Sequence, residues 1–553
     1  MKKLYKKIVA RLHSGSLPTG EGGGRGRFLL LLLGSMAFLS SCSDWDDHYE
    51  NEAANSADIT LWDAIQQRSE LSDFAQVLEK TMVFRQHKKT SVSYADVLKG
   101  GRSLTLFAPV NGSFNKDSIL SLLTTAKGDS AVERFFIMNH LSQDLISTDG
   151  TDKNFRMLNL KKGVISGDII NNVAAKETNV HGKNGIMHVM SSQMPYMKTI
   201  YETLVSLPQF KTNGDILKSY NEDVFDENNS VSSEIVDGKK EYVDSVIYEE
   251  NKLMEVIGRL NSEDSVYHAV IPNEDGWNKA YNKAMECYKF AKSNEYADSL
   301  QRYYAYRALM DDAIYSHLRQ KEHIEKYALA SSWLTDKYHR YGVYYKPFSP
   351  DGIFGSAKEK IVCSNGYIYA SDEWIFDPHT TYNTMLYYEG EELNSIIDYS
   401  GCSLNEISVL ADSISAGKFM HIKPSTGNSN WSVTYKLENA LSTKYDIYLD
   451  VLPKSVMGSD SKRPCRFTAT INYYDEDGNA KSFVCNDGTP INTEADHIHR
   501  VKVGSFRLPT CNYDQSIGQP SITITCSIRP NENSRYDRNF YLDTIYLYPS
   551  EEE

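Results

Sequence analysis

The chain has 553 residues, 41% of them hydrophobic and 24% charged, an ordinary globular composition with room for about three or four domains. Its formal net charge is -14. That sign argues against nucleic-acid phosphates and anionic lipid surfaces as partners, since both demand a basic footprint.

The N-terminus reads as a leader. Lys2, Lys3, Lys6, Lys7, Arg11, Arg25 and Arg27 precede the apolar run from Phe28 to Leu39, and small residues follow. That order makes an export signal. The run is shorter than the roughly 20 residues that span a bilayer. Leu39-Ser40-Ser41-Cys42 resembles the bacterial lipobox. The resemblance implies removal of residues 1–41 and lipidation of Cys42, which would anchor the chain to a membrane. The leader carries seven basic residues and one acid, a net of +6, so about -20 (-14 less 6) falls on the rest.

Residues 42–57 form an acidic tether, extended by its own repulsion. Ser43-Asp44-Trp45-Asp46-Asp47-His48-Tyr49-Glu50 resembles the export tag of Bacteroidetes lipoproteins. It implies an outer-membrane location facing the cell exterior.

Residues 58–197 read as one unit. Thr60 is an N-cap with an acid three residues on, and Leu71, Phe74, Val77 and Leu78 continue at helical spacing. Leu104-Thr105-Leu106-Phe107 is a strand stopped by Pro109 and Gly112. Phe135 to Leu141 is mixed helical. Asn184-Gly185 is a turn feeding the strand Ile186 to Met190. Together, Leu104 to Phe114, Asn139-His140 and Asn184 to Val189 resemble the boxes of fasciclin-like domains, in order. That family often has Tyr-His where this chain has Asn139-His140. The resemblance implies a β wedge with flanking helices, and a role in adhesion or protein contact.

Residues 198–392 read as a degenerate second copy. Thr199 to Leu204 repeats the opening helix, Val266 to Trp277 takes the first-box place, and Cys363 to Ala370 the second. No Tyr-His pair is assigned to the middle place of this copy. Trp277, Tyr281, Ala284 and Tyr288 share one helical face, as do Tyr303, Tyr306, Met310, Ile314 and His317. Asn221 to Lys252 reads as a strand pair with an insertion.

Residues 395–550 change texture to short strands between turns, an all-β sandwich with a jelly-roll-like last strand, Phe540 to Pro549. Tyr445 to Val451 alternates, with Asp446 and Asp450 on the wet face. Asp475 to Asn479 is a hairpin turn without calcium-loop spacing. The fold class is therefore α+β, two fasciclin-like domains followed by a β-sandwich.

Catalytic signatures are missing. The chain has no G-x-S-x-G elbow, H-E-x-x-H, P-loop or strand-borne G-x-G-x-x-G. No cofactor and no metal are expected. His140 and His188 sit in apolar contexts and read as core histidines. Seven cysteines follow Cys42, an odd number without zinc spacing. One or two disulfides near the C-terminus, or buried thiols, both fit. Asp117-Ser118-Ile119 and Asp412-Ser413-Ile414 resemble a Bacteroidetes O-glycosylation sequon.

Trp431 and Tyr536 stand next to polar loops and are the candidate ligand-binding residues, because sugar C–H faces stack on exposed rings. The expected function is non-enzymatic: an accessory glycan or nutrient-capture lipoprotein beside a SusC/SusD-like transporter. A cell-surface adhesin is the alternative, and a hydrolase with an unrecognised carboxylate pair the third reading.

Overall fold

The computed structural model describes residues 58–236, 239–317, 321–330, 342–409, 411 and 413–550, with side chains left undescribed at 126 and 232–245. The leader, Cys42 and the tether to residue 57 lie outside the described residues, as does Asp412. The chain is mixed α and β, mostly sheet.

The first unit begins where the sequence places a cap. Thr60 Oγ accepts from Asp63 N–H and Asp63 returns the bond, opening the helix Leu61–Gln66. A seven-stranded sheet follows, built around two parallel strands, Leu104–Pro109 and Gly185–Met190. Both are buried at all six positions. Leu61, Phe74, Leu78 and Leu98 from the helices pack on Leu106 and Met187. His140 and His188 are core histidines: His140 Nδ1 bonds the Phe136 carbonyl and its Nε2 accepts from Met194 N–H.

The second unit repeats this wiring. Ile314–Ser316, Tyr267–Pro272, Gly366–Ser371 and Glu359–Cys363 lie in the same order and directions as Leu141–Ser142, Leu104–Pro109, Gly185–Met190 and Val173–Gly182. The register is equivalent too. Leu104 pairs with Gly185 and Tyr267 with Gly366, and each first strand ends on a proline, Pro109 or Pro272.

One device sits at the head of each parallel pair. Asn184 Oδ1 accepts from Leu61 N–H at 2.8 Å, and its Nδ2 donates to the carbonyls of Leu98 and Gly100. Asn365 does the same with Ile200 N–H and the carbonyls of Leu260 and Ser262. The next residue is glycine at φ +148° (Gly185) or +140° (Gly366). A Cβ there would overlap the Leu104 or Tyr267 carbonyl, so only glycine fits.

The copies diverge between the boxes. Where the first has the short helices Lys116–Leu122 and Ala126–Val132, the second has the longer Glu274–Cys287 and Ala297–Ala313. The latter is buried on nearly every side, which hides any helical stripe. The expected face that included Ile314 and His317 is corrected: the helix stops at Ala313, because Ile314–Ser316 pairs with Tyr267–Ala269. Counting back from the strand start, Asp312-Ala313 occupies the place of Asn139-His140. Asn221–Val236 and Lys239–Asn251 form a long hairpin, leaning on the first unit through the stacked rings of His87 and Tyr248.

The third body is a sandwich of two six-stranded antiparallel sheets. One holds Cys402–Ser408, Lys418–Pro424, Phe540–Pro549, Lys444–Val451 and His499–Arg507. Leu386–Glu389, upstream of the expected start at 395, also pairs with Phe540–Pro549. The other sheet is built on Ser432–Lys436, Ser521–Cys526 and Arg466–Tyr474. Alternation is clean in Lys444–Val451, where Tyr445, Ile447, Leu449 and Val451 are buried.

The asparagine device generates a prediction. Asn184→Ala or Asn365→Ala deletes three hydrogen bonds and strands a helix N–H in the core, so each should cost about 2–3 kcal/mol. Urea unfolding followed by circular dichroism measures it. A loss below about 0.5 kcal/mol at both positions would remove the device from the folding argument.

Candidate functional site

The outer face of the first sandwich sheet gathers polar aromatics in register. Tyr387, Tyr546, Tyr448 and Lys502 are successive partners across four strands. Two residues along, on the same face, come Tyr548, Asp446 and Ser505; on the other side come Glu389, Thr544, Asp450 and Arg500. Their sequence neighbours Ile447, Leu449, Ile545 and Leu547 point into the core. Tyr387 is 54% exposed, and Tyr448, Tyr546 and Tyr548 are half-buried.

Arg500 organises this face. Its Nε and Nη2 bond Asp450 at 2.8 Å each, and Nη1 donates to the Tyr548 hydroxyl at 2.6 Å. The guanidinium lies 4.1 Å from the Tyr546 ring centre. Its bond to Asp450 raises its pKa above the ordinary arginine value. Lys502 pairs with Asp446 at 2.9 Å. Tyr448 meets Tyr548 edge to face at 5.5 Å. The result is a fixed set of ring faces, fork N–H groups and carboxylates at one surface, the mixed chemistry that holds polyhydroxylated ligands.

The other half of the face is roofed. Ile414 and Leu452 cover Phe419 and Tyr541. The strap is pinned where Ser415 N–H donates to Asp543 at 3.1 Å and Ser415 Oγ to Glu389 at 2.7 Å. Asp543 is 3% exposed, and burial pushes its carboxyl up to about 7. Glu389, Asp450 and Glu391 push the same way.

The two expected ligand-binding residues lie elsewhere, and Trp431 is corrected. Trp431 is 1% exposed; its Nε1 donates to the Arg538 carbonyl at 2.6 Å and its ring packs on Phe540. The polar loop before it is drawn inward by buried Arg538, whose guanidinium bonds Gly427 and Ile528 carbonyls. Tyr536 packs against the core, half-buried, with the Arg466 guanidinium 4.6 Å from its ring centre. Trp431 therefore offers no free ring. The signal that marks the open face is the Tyr546-Leu547-Tyr548 alternation in the last strand, in register with wet Asp446 and Asp450.

Other candidates resolve locally. Asp475 spends its carboxylate on Asp477 N–H, Asn479 N–H and the Asn479 amide, so it builds the hairpin turn. The one trio of metal-ligating atoms among the described residues is exposed Glu494, Asp496 and His497, and His497 already bonds Asp496. The seven described cysteines are thiols, all buried except half-buried Cys402. Ser118 lies in the helix Lys116–Leu122. Among the described residues, no helix is long and apolar enough to cross a membrane.

No family model and no curated protein matches the chain. Partial likeness to solved structures exists. A Paenibacillus xanthan lyase is 14% identical over 30% of this chain and 13% of its own, with a TM-score of 0.21. The CBM22-1–GH10 modules of Clostridium thermocellum xylanase 10B are 10% identical over 30% of this chain and 27% of theirs, at 0.20. The CBM22-1 xylan-binding domain of Paenibacillus barcinonensis Xyn10C is 10% identical over 31% of this chain and 97% of its own, also at 0.20. The chain thus spans well under a third of the first two. The sandwich architecture stands on its own two sheets.

Asp543 gives a pH prediction. Folded, it holds a proton at pH values where the unfolded carboxyl, at its ordinary 3.8, has lost it. Stability therefore falls as pH rises from about 4 to about 7, by up to about 1.4 kcal/mol per pH unit from this group. In urea titrations Asp543→Asn should gain on the wild type progressively across that window. A constant difference between the two proteins would contradict it.

Proposed function

We propose that this protein is a non-enzymatic, lipid-anchored surface protein that captures glycan through the open tyrosine face of its sandwich. The observation that carries the reading is the row Tyr387, Tyr546, Tyr448 and Lys502, flanked by the Arg500–Asp450 and Lys502–Asp446 pairs. Stacking faces and bidentate donors stand together at a surface, and the acids beside them are engaged in ion pairs. In this reading the two repeated units are fasciclin-like domains. Support comes from their shared strand order, the parallel central pair and the Asn-Gly head of each second box. Cys42 carries the lipid, and the tether holds the body outside the outer membrane of a Bacteroidetes-type cell, next to a SusC/SusD-like transporter. The tandem repetition itself favours the second reading, an adhesin whose units contact other proteins.

Affinity electrophoresis against a panel of plant and host polysaccharides tests the capture site. Tyr387→Ala with Tyr448→Ala should abolish retardation, a loss of at least about tenfold, while Tyr536→Ala should leave it intact. Retardation that survives the double variant moves the site elsewhere; no retardation by any glycan favours the adhesin. Separately, Cys42→Ser should abolish incorporation of a clickable fatty acid in cells, and label persisting in that variant would refute the anchor.

A further inference from the structure

A cleft of about 600 Å3 runs between the second unit and the sandwich. Its walls are fixed to one another. Lys292 N–H donates to the Glu476 carbonyl at 2.8 Å, and its ammonium pairs with Asp477 at 3.0 Å. Ser442 bonds the Glu286 and Cys287 carbonyls, and buried Leu441 and Cys511 extend the apolar core of the second unit across the seam. A cleft held this way keeps its shape without a ligand.

The lining is unbalanced in charge. It contains the carboxylates of Glu295 and Asp514 and no lysine, arginine or histidine. It also contains Tyr296, Tyr304 and Tyr474. Each acid is posted by a tyrosine. The Tyr304 hydroxyl donates to Asp514 Oδ2 at 2.6 Å, and the Tyr296 hydroxyl bonds Glu295. Asp514 is further held by its own N–H on Asn439 Oδ1 at 3.0 Å. Ile517, 81% exposed, stands at the lip.

Tyr304 is buried and serves to post Asp514, while Tyr296 and Tyr474 stand at the cleft; the nearby Lys292 is paired with Asp477. Rings beside carboxylates select for positive charge, since both the quadrupole and the acids attract it. We infer that this cleft binds an ammonium-bearing ligand, an amino sugar or a basic side chain, seated against Tyr296 and Tyr474 with its nitrogen at Asp514 and Glu295. The site is separate from the tyrosine face and does not depend on the reading of that face.

Titration calorimetry on the full chain tests it with three probes: a glucosamine tetramer, its N-acetylated counterpart, and trilysine. The amines should bind at least tenfold more tightly than the acetylated sugar, and less tightly as salt rises. Binding of the glucosamine tetramer alone identifies an amino sugar; binding of trilysine alone identifies a basic peptide. Asp514→Asn and Glu295→Gln, both at exposed positions, should each weaken amine binding about tenfold, whereas Tyr387→Ala should not. Equal binding of the acetylated sugar, no binding of either amine, or unchanged affinity in both charge variants overturns the inference.

Discussion

A buried asparagine amide at the mouth of two parallel strands is the interaction on which both N-terminal units turn. Parallel neighbours cannot be joined by a hairpin, so nothing local sets their register. Asn184 supplies what the turn cannot. One side chain ties the start of the second strand to the opening helix and to the segment before the first strand. Asn365 repeats this with different elements of the same kind. The glycine after each lets the backbones close to contact. An unpaired amide in such a place costs more than its hydrogen bonds return, so the arrangement tolerates little variation. The rest of the unit is freer. Ala313 replaces His140, and the helices of the middle lengthen, without disturbing the four paired strands.

That difference explains what the sequence makes legible. The second copy is visible at Asn365-Gly366 and at Pro272 because those positions are fixed by backbone geometry. It is obscure between them because Tyr303, Tyr304, Tyr306 and Leu309 bury the long helix on all sides, and amphipathic period vanishes when no face is wet. The sandwich is readable from period-two alternation alone. The open tyrosine face is less so. Alternation tells which side of a strand is wet, but not which half of that side a loop will roof. Trp431 illustrates the failure: a polar loop precedes it, yet buried Arg538 folds that loop inward and closes the ring off. Tyr546 and Tyr548 carried the information instead, through their register with Asp446 and Asp450.

On the sheet face, cations and acids are matched. Arg500 is paired with Asp450, and Lys502 with Asp446. Such half-exposed pairs add little to stability, on the order of 0–1 kcal/mol each. Their effect is positional. A guanidinium clamped by two acceptors cannot swing, and it holds the Tyr546 ring under it, so these side chains are already ordered. The roofed half works oppositely. There a carboxyl is kept in a site that penalises its charge, and the strap above it leans on that carboxyl through Ser415.

The three bodies are joined by contacts of very different cost, and this decides how they move together. Between the first and second units, Lys161 is 4% exposed and bonds Glu263 at 2.6 Å and Ser364 at 3.0 Å, with the Tyr196 ring 4.3 Å from its ammonium. Separating the units would leave that ammonium and Glu263 without each other, and breaking a buried pair costs about 3–5 kcal/mol unless water re-solvates both. Between the second unit and the sandwich, the seam is apolar core plus backbone hydrogen bonds, which water replaces poorly. Hinge motion at either join therefore has to open a sealed interface. The tyrosine face on the sandwich and the cleft at its seam therefore keep a constant relation to each other and to the second unit.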